Sequence, residues 1–164
     1  MTAALELSTN QVTHFYSLKK DSQEMIKLVE ILIQKYSGCR KIYLSWDAAS
    51  WHSSKDLLDK ISTVNKYGYR QTNNTPLVKI APLPSRAQFL NVVESVFSGM
   101  SYSIIQNSNY NSVEEAKKAI DRYFLERNEH YRNNPKRAGG KLWGNERVYP
   151  QFIEGQNCKN PRWR

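Results

Sequence analysis

The chain has 164 residues, a length typical of one domain of ordinary size with its own core. Its 40% hydrophobic and 12% aromatic content excludes a disordered composition. A mean hydropathy of −0.68, without any long apolar run, also excludes a membrane span. The 24 Lys and Arg against 15 Asp and Glu give a net charge of +9, which favours a polyanionic partner, with nucleic acid as the first candidate. A basic surface without a specific partner explains the charge about equally well.

The cysteines and the N-terminus bear on the compartment. Cys39 and Cys158 are far apart and lack the spacing of a zinc site, so we expect free thiols in a reducing compartment. The first ten residues contain neither a basic segment nor an apolar segment of adequate length, so no secretory signal is expected. We therefore expect a cytoplasmic protein.

The N-terminal part predicts a hairpin and a helix. Two β-rich runs, residues 2–8 and 11–18, flank the polar Thr9 and Asn10, which predicts a β-hairpin. Asp21 precedes Glu24 at capping-box spacing, and apolar residues follow at helical intervals until Gly38. This pattern predicts a helix over about 22–37. Its apolar residues are Met25, Leu28, Val29, Leu32 and Tyr36.

The middle of the chain predicts alternating strands and helices. Residues 41–47, KIYLSWD, predict a strand, and residues 77–81, LVKIA, predict another. The Asn- and Thr-rich residues 65–76 predict a loop between them. Two amphipathic helices are expected, one after each strand. Their apolar residues are Leu57, Leu58, Ile61 and Val64 in the first, and Leu90, Val93, Phe97 and Met100 in the second.

The C-terminal part predicts one more helix and a tail. Ser112 and Glu115 form a second capping box before an apolar stripe that runs from Ala116 to Phe124. Residues 134–164 are rich in Pro, Gly and basic residues and lack periodicity, so we expect a domain over 1–133 and a basic tail over 134–164. The order β-β-α-β-α-β-α-α predicts an α/β fold in which a sheet is layered with helices.

Two carboxylates occupy positions typical of functional residues. Asp47 ends a predicted strand, where α/β folds usually place ligands. Glu94 has Leu90 at i−4 and Phe97 at i+3, which predicts that it lies on the core-facing side of its helix. A buried carboxylate is costly unless it is paired, and a divalent cation is one partner. The alternatives are that Asp47 caps the following turn and that Glu94 pairs with a buried Arg or Lys.

Two motifs resemble one protein family. DAASWHSSK, residues 47–55, resembles a stretch that begins Asp-Asn-Ala in DDE transposases of the bacterial mariner-related group. LPSRAQFLNVVESVF, residues 83–97, resembles their second motif, in which Asn91 and Glu94 match. The resemblance extends over roughly residues 2–146. Ala48 stands where the family has Asn, and Arg86 and Val92 stand where its second motif has Pro. The interval between the two acids is also wider than is usual in the family.

The resemblance implies an RNase H-like catalytic domain acting in DNA transposition. Asp47 and Glu94 would be the second and third metal-binding acids, holding Mg²⁺ (or Mn²⁺) for phosphodiester cleavage and strand transfer. The first acid is expected on a strand before the hairpin, and this chain is expected to lack that first catalytic strand. We therefore expect a fragment that is inactive alone, with an upstream polypeptide or a second copy completing the site. Glu6 is expected to be structural or at the surface, and His52 to lie beside the site.

DNA contacts are expected from the basic tail. Lys136, Arg137, Lys141 and Arg147 are candidate phosphate ligands, although a basic tail is commonly only solvated. A non-catalytic nucleic-acid-binding remnant of a transposase is the alternative function. A basic α/β protein with an unrelated partner is the third. If Asp47 and Glu94 lie together at one metal, both transposase interpretations are favoured over the third.

Overall fold

The computed structural model describes residues 1–46, 54–81 and 92–139, and these form a mixed α/β fold. The element order along the described residues agrees with the sequence prediction, apart from an additional helix and a π-helical turn. The elements are β1 (Thr2–Glu6), β2 (Gln11–Phe15), α1 (Ser22–Lys35), β3 (Lys41–Leu44), α2 (Lys55–Asn65), α3 (Tyr67–Asn73), β4 (Leu77–Ile80), α4 (Val92–Met100), the π-helical turn (Ser101–Ile105) and α5 (Val113–Asn133).

The predicted hairpin is confirmed as an antiparallel pair, and its two faces contact different helices. Ala3 faces His14 across the ladder, and Leu5 faces Val12. This face packs against Val96, Met100 and Phe124 of α4 and α5. The opposite face, which includes Ala4 and Phe15, packs against the core formed by α1 and α2. The period-2 alternation of side chains along the strands therefore places the hairpin between two helical layers.

The second sheet is a parallel pair, β3 and β4, connected through α2 and α3. Ile42 lies opposite Val78, and Leu44 opposite Ile80. Both pairs pack against the main core, which contains Val29 of α1 and Leu57 and Val64 of α2. Parallel strands require a crossover of this kind, because the chain must return to the same end of the sheet before the second strand begins.

Both predicted capping residues begin their helices. The Asp21 side chain accepts hydrogen bonds from the backbone N–H groups of Gln23 and Glu24, and α1 follows directly. Ser112 accepts from the backbone N–H of Glu115 at the start of α5. These bonds satisfy N–H groups that have no partner within the helix. Helix α1 ends at Lys35, two residues before the predicted end.

The loop predicted over 65–76 is wrong for most of its length. Asn65 belongs to α2, and Tyr67–Asn73 form the short helix α3. Its residues have no strong apolar stripe, but Tyr69 packs against the main core. Asn74 adopts a left-handed conformation with φ 49° and ends the helix, a role that suits Asn. Tertiary packing therefore overrides the weak helix propensity of this segment.

One face of α2 also departs from expectation. Leu57, Ile61 and Val64 are buried as predicted, whereas Leu58 is 44% exposed. Leu58 is therefore not part of the core-facing stripe.

Among the described residues, no helix has the length and apolar content needed to cross a membrane.

Candidate functional site

A groove of about 1010 Å³ lies between the two sheets, and we call it the inter-sheet groove. Strand β1 lines it on one side and β3 on the other, and apolar side chains of α1 also line it. Within the described ranges, β1 pairs only with β2 and β3 only with β4, so no ladder joins the two sheets. The chain therefore has one sheet edge on each side of the same groove. The α1 residues are Met25, Leu28, Val29 and Leu32.

The segments that carry the two predicted acids both reach this groove. Trp46, which precedes Asp47 in the sequence, is one of the lining residues. Val92 and Val93, which precede Glu94 in the first turn of α4, are also in the lining. The described part of the chain thus brings the end of β3 and the start of α4 to the same groove.

The predicted core-facing position of Glu94 is wrong, because the structure places this residue on the exposed side of α4. The buried residues of the helix are Val96 and Met100, one turn apart. Glu94 precedes Val96 by two residues, or about 200° around the helix, which turns it away from that stripe. Burial therefore gives no reason for a metal at Glu94, and the metal role depends on the motif match.

Several predicted site residues lie outside the described residues. These are Asp47, His52, Lys141 and Arg147. The two other tail cations, Lys136 and Arg137, follow α5 and are both exposed. Arg137 also lines the inter-sheet groove. Ala138, next to it, donates its backbone N–H to the carbonyl of Leu7 at 2.8 Å, which fixes the start of the tail beside β1.

Glu6 has a structural environment, in agreement with its expected role. Oε2 accepts a hydrogen bond of 2.7 Å from the Tyr36 hydroxyl, and Oε1 accepts one of 2.7 Å from Ser8. Burial opposes ionisation of this carboxyl, but these hydrogen bonds and nearby Lys35 outweigh it and lower its pKa. Both oxygens are engaged at the end of β1. This geometry fits a link between the hairpin and α1 better than a metal ligand.

The proposed metal site has carboxylate side chains as its ligands. Carboxylate oxygens suit a hard cation such as Mg²⁺ or Mn²⁺. Among residues 1–46, 54–81 and 92–139, no group of three or more His, Cys, Asp or Glu side chains could hold a metal ion. Asp47 lies outside those ranges, so the described residues contribute Glu94 alone to the proposed pair.

A polar cluster between β2 and α5 was not predicted from the sequence. His14 Nε2 lies 2.8 Å from Oδ1 of Asp121, and the Tyr16 hydroxyl donates to the same oxygen at 2.9 Å. The hydrogen bond with His14 is the main cause of the lowered Asp121 pKa. The Phe124 ring lies 4.8 Å from the His14 ring, measured between centroids. This cluster fixes α5 against the hairpin.

A second basic surface lies on the outer face of β3 and β4. Lys41, Tyr43 and Lys79 are exposed there, and Tyr43 is opposite Lys79 in the parallel register. The Tyr43 side chain is 68% exposed, and the Lys41 ammonium lies 5.7 Å from the centroid of its ring. An exposed aromatic ring among cations is an arrangement found on surfaces that bind single-stranded nucleic acid. The alternation of exposed and core-facing side chains along β3 and β4 is the sequence signal that could have identified this surface.

Comparison with known proteins gives no relative. No protein-family model matches the chain, and neither a curated protein nor a solved structure matches it.

Proposed function

We propose that this chain is a catalytic-domain fragment of a DDE-type DNA transposase with an RNase H-like arrangement of strands and helices. The observation that supports it most is the meeting of two segments at one groove. Trp46 and Val93, the sequence neighbours of Asp47 and Glu94, both line the inter-sheet groove. In the sequence, 47 positions separate Asp47 from Glu94.

The order and layering of the elements give further support. An antiparallel hairpin is followed by a parallel β-α-β unit, and helices cover both faces of the hairpin. This arrangement is compatible with the fold that the motif resemblance implies. The groove lies between the hairpin and β3, where that fold has its first strand.

In this proposal, Asp47 and Glu94 hold Mg²⁺ or Mn²⁺ through their carboxylates. When bound, the metal activates a water or a 3′-hydroxyl and stabilises the leaving oxygen of the phosphodiester. Glu94 lies on the exposed side of α4. The exposed cations Lys136 and Arg137 would hold phosphates by charge, whichever bases the DNA contains.

Calorimetric titration with MnCl₂ tests the proposal. Wild-type protein should bind Mn²⁺, and both Asp47→Asn and Glu94→Gln should weaken binding by at least about tenfold, because each removes a charged ligand. Asp59→Asn on the exposed side of α2 is the matched control and should bind as the wild type does. Equal affinities in all four proteins would contradict the proposal.

The alternative is a non-catalytic nucleic-acid-binding remnant, and the exposed Lys41, Tyr43 and Lys79 surface favours it specifically. The two functions differ in their dependence on the acids. A remnant binds DNA with equal affinity with and without Mn²⁺, and substitution of Asp47 or Glu94 leaves that affinity unchanged.

A further inference from the structure

The outer face of β3 and β4 is the face turned away from the main core. The core face of the pair is formed by Ile42, Leu44, Val78 and Ile80. Side chains alternate along a strand, so the residues between these four lie on the outer face. They are Lys41 beside Leu77 and Tyr43 beside Lys79 in the parallel register. Both lysines and the tyrosine are exposed.

This outer face has an unusual composition for parallel strands. Such strands usually carry apolar side chains on both faces, because helices cover both. Here, residues 39–46 and 75–81 contain no Asp or Glu, so neither strand supplies a carboxylate to offset the charges of Lys41 and Lys79. Arg40, directly before β3, is exposed and adds a third cation. A positive surface without acids complements a polyanion.

The same charges disfavour two other kinds of partner. An apolar helix packed on this face would take the ammonium groups of Lys41 and Lys79 out of water without pairing them, which is costly. In a two-fold dimer through this face, a second copy of the chain would bring the same lysines against each other, and like charges in an interface are unfavourable. A polyanion meets neither cost.

Tyr43 indicates which kind of polyanion fits. Its side chain is 68% exposed although the residue lies within a strand. The ladder with β4 fixes its backbone, and side chains of a strand stand roughly perpendicular to the sheet. The Lys41 ammonium lies 5.7 Å from the centroid of the ring. A ring held in this way among cations can stack on an unpaired base while the ammonium groups contact phosphates. The bases of a duplex stack on each other and leave no face for the ring.

We infer that the outer face of β3 and β4 binds single-stranded nucleic acid, with one base stacked on Tyr43 and neighbouring phosphates held by Lys41 and Lys79. Every base has a π face, so binding depends little on sequence. DNA and RNA share this chemistry. The surface goes beyond the proposed metal site and does not rest on it, because stacking and phosphate contacts need no divalent cation.

Strands with and without bases test the inference. The probes are labelled strands of about twelve nucleotides, one of thymidine, one of uridine and one of an abasic analogue with the same charge. Affinities of the full chain are measured by anisotropy in EDTA. The wild type should bind the thymidine strand about tenfold more tightly than the abasic strand, which keeps the phosphates and lacks the stacking partner. Tighter binding of the thymidine or of the uridine strand identifies DNA or RNA as the ligand.

Substitutions separate the ring from the charges. Tyr43→Ala should abolish the preference for a strand with bases, and Tyr43→Phe should retain it, because the ring remains. Lys41→Gln with Lys79→Gln should retain the preference and flatten the logarithmic salt slope by about 1.4, since each contact to a single strand contributes about 0.7. Tyr102→Ala, at a tyrosine that is 79% exposed outside these strands, is the matched control and should bind as the wild type does.

The preference is a ratio of two affinities within each variant, so a variant with fewer folded molecules loses both affinities equally and keeps the ratio. Photo-crosslinking locates the base directly. A thymidine strand with one 5-iodouracil should crosslink to the peptide that contains Tyr43, and mass spectrometry identifies that peptide.

Four results would overturn the inference. They are equal affinities of the wild type for the thymidine and abasic strands, an undiminished preference in Tyr43→Ala, the same loss in Tyr102→Ala as in Tyr43→Ala, and binding of a duplex as tight as that of a single strand. If single strands bind as expected and Mn²⁺ does not bind, the proposed function alone fails. If Mn²⁺ binds through Asp47 and Glu94 and single strands do not bind, the inference alone fails.

Discussion

The Tyr36 hydroxyl donates a 2.7 Å hydrogen bond to Oε2 of Glu6, and this bond joins the end of α1 to the end of β1. The two residues are 30 positions apart in the sequence. The pKa of the Tyr36 hydroxyl is raised, first by burial and then by the bond to Glu6, so it remains a donor throughout the neutral range. The bond holds the hairpin and α1 together at the margin of the inter-sheet groove.

The lowered pKa of Glu6 makes the stability of the fold depend on pH. Because the folded pKa is below the ordinary value of 4.5, the ionised carboxylate stabilises the fold above that value. This contribution is lost as pH falls through the folded pKa. Glu6→Gln should therefore reduce the loss of unfolding free energy between about pH 5 and pH 3 in urea titrations. Glu126→Gln, at an exposed site on α5, should retain the wild-type pH profile. A Glu6→Gln profile parallel to wild type would contradict this role.

Asn65 should be important for the position of β4. Its side chain accepts a hydrogen bond from the Val78 N–H and donates one to the Val78 carbonyl, both at 2.8 Å. Val78 is 1% exposed, so its N–H and carbonyl groups cannot hydrogen-bond to water after Asn65→Ala removes their partner. We expect a loss of about 2 kcal/mol in the free energy of unfolding, measured in urea. Asn73→Ala, in the exposed last turn of α3, should cost less than about 0.5 kcal/mol. Equal losses would contradict the role of Asn65.

Binding of DNA should depend steeply on salt. Anisotropy with a labelled duplex across a salt series should give affinities that fall as salt rises, with little preference for sequence. Lys136→Gln with Arg137→Gln should flatten the logarithmic slope by about 1 to 2, since each phosphate contact contributes about 0.9. Lys66→Gln with Lys118→Gln removes two exposed charges elsewhere and is the matched control.

A flat salt response in the wild type, or no binding at low salt, would contradict a DNA partner. If the control pair flattens the slope as much as the tail pair does, binding depends on total charge rather than on the tail. Lys41→Gln with Lys79→Gln then tests the outer face of β3 and β4. On that face Tyr43→Ala should weaken binding of single-stranded DNA more than binding of a duplex, because it removes a stacking surface.

We predict that the chain alone does not cleave DNA. With Mg²⁺ or Mn²⁺ and a supercoiled plasmid, the wild type should give no more nicked product than Asp47→Asn or Glu94→Gln, because a paired-metal site needs a further bridging carboxylate. Cleavage by the wild type that disappears in both variants would contradict this prediction. Glu6 would then be the first residue to test as the missing acid, although both its oxygens accept hydrogen bonds in the structure.

The fold was predictable from the sequence where local patterns decide it. Asp21 and Ser112 begin helices because their side chains accept from the first free N–H groups, a signal within four residues. The hairpin was predictable because β-rich runs flank a short polar turn, in which Asn10 takes a positive φ of 59°. Helix α3 was missed because packing of Tyr69, and not its own propensity, stabilises it.

The candidate site was less predictable, because it depends on which side of a helix faces the core. Leu90 and Phe97 indicated a buried Glu94, but Val96 and Met100 set the buried stripe of α4. The contact between His14 and Asp121 spans 107 positions, and no local pattern indicates it. Within the described ranges, the hairpin does not pair with β3. Because the two sheets are separate, a groove lies between them, and the sequence did not predict this groove.

Paramagnetic broadening by Mn²⁺ in a ¹H–¹⁵N NMR spectrum tests most directly whether the segments of Asp47 and Glu94 share one metal. At substoichiometric Mn²⁺, the backbone amide signals of Trp46 and Val93 should both broaden. Asp47→Asn and Glu94→Gln should each remove the broadening at both positions, because one cation serves both carboxylates. Broadening at only one of the two amides, or at neither, would contradict the account.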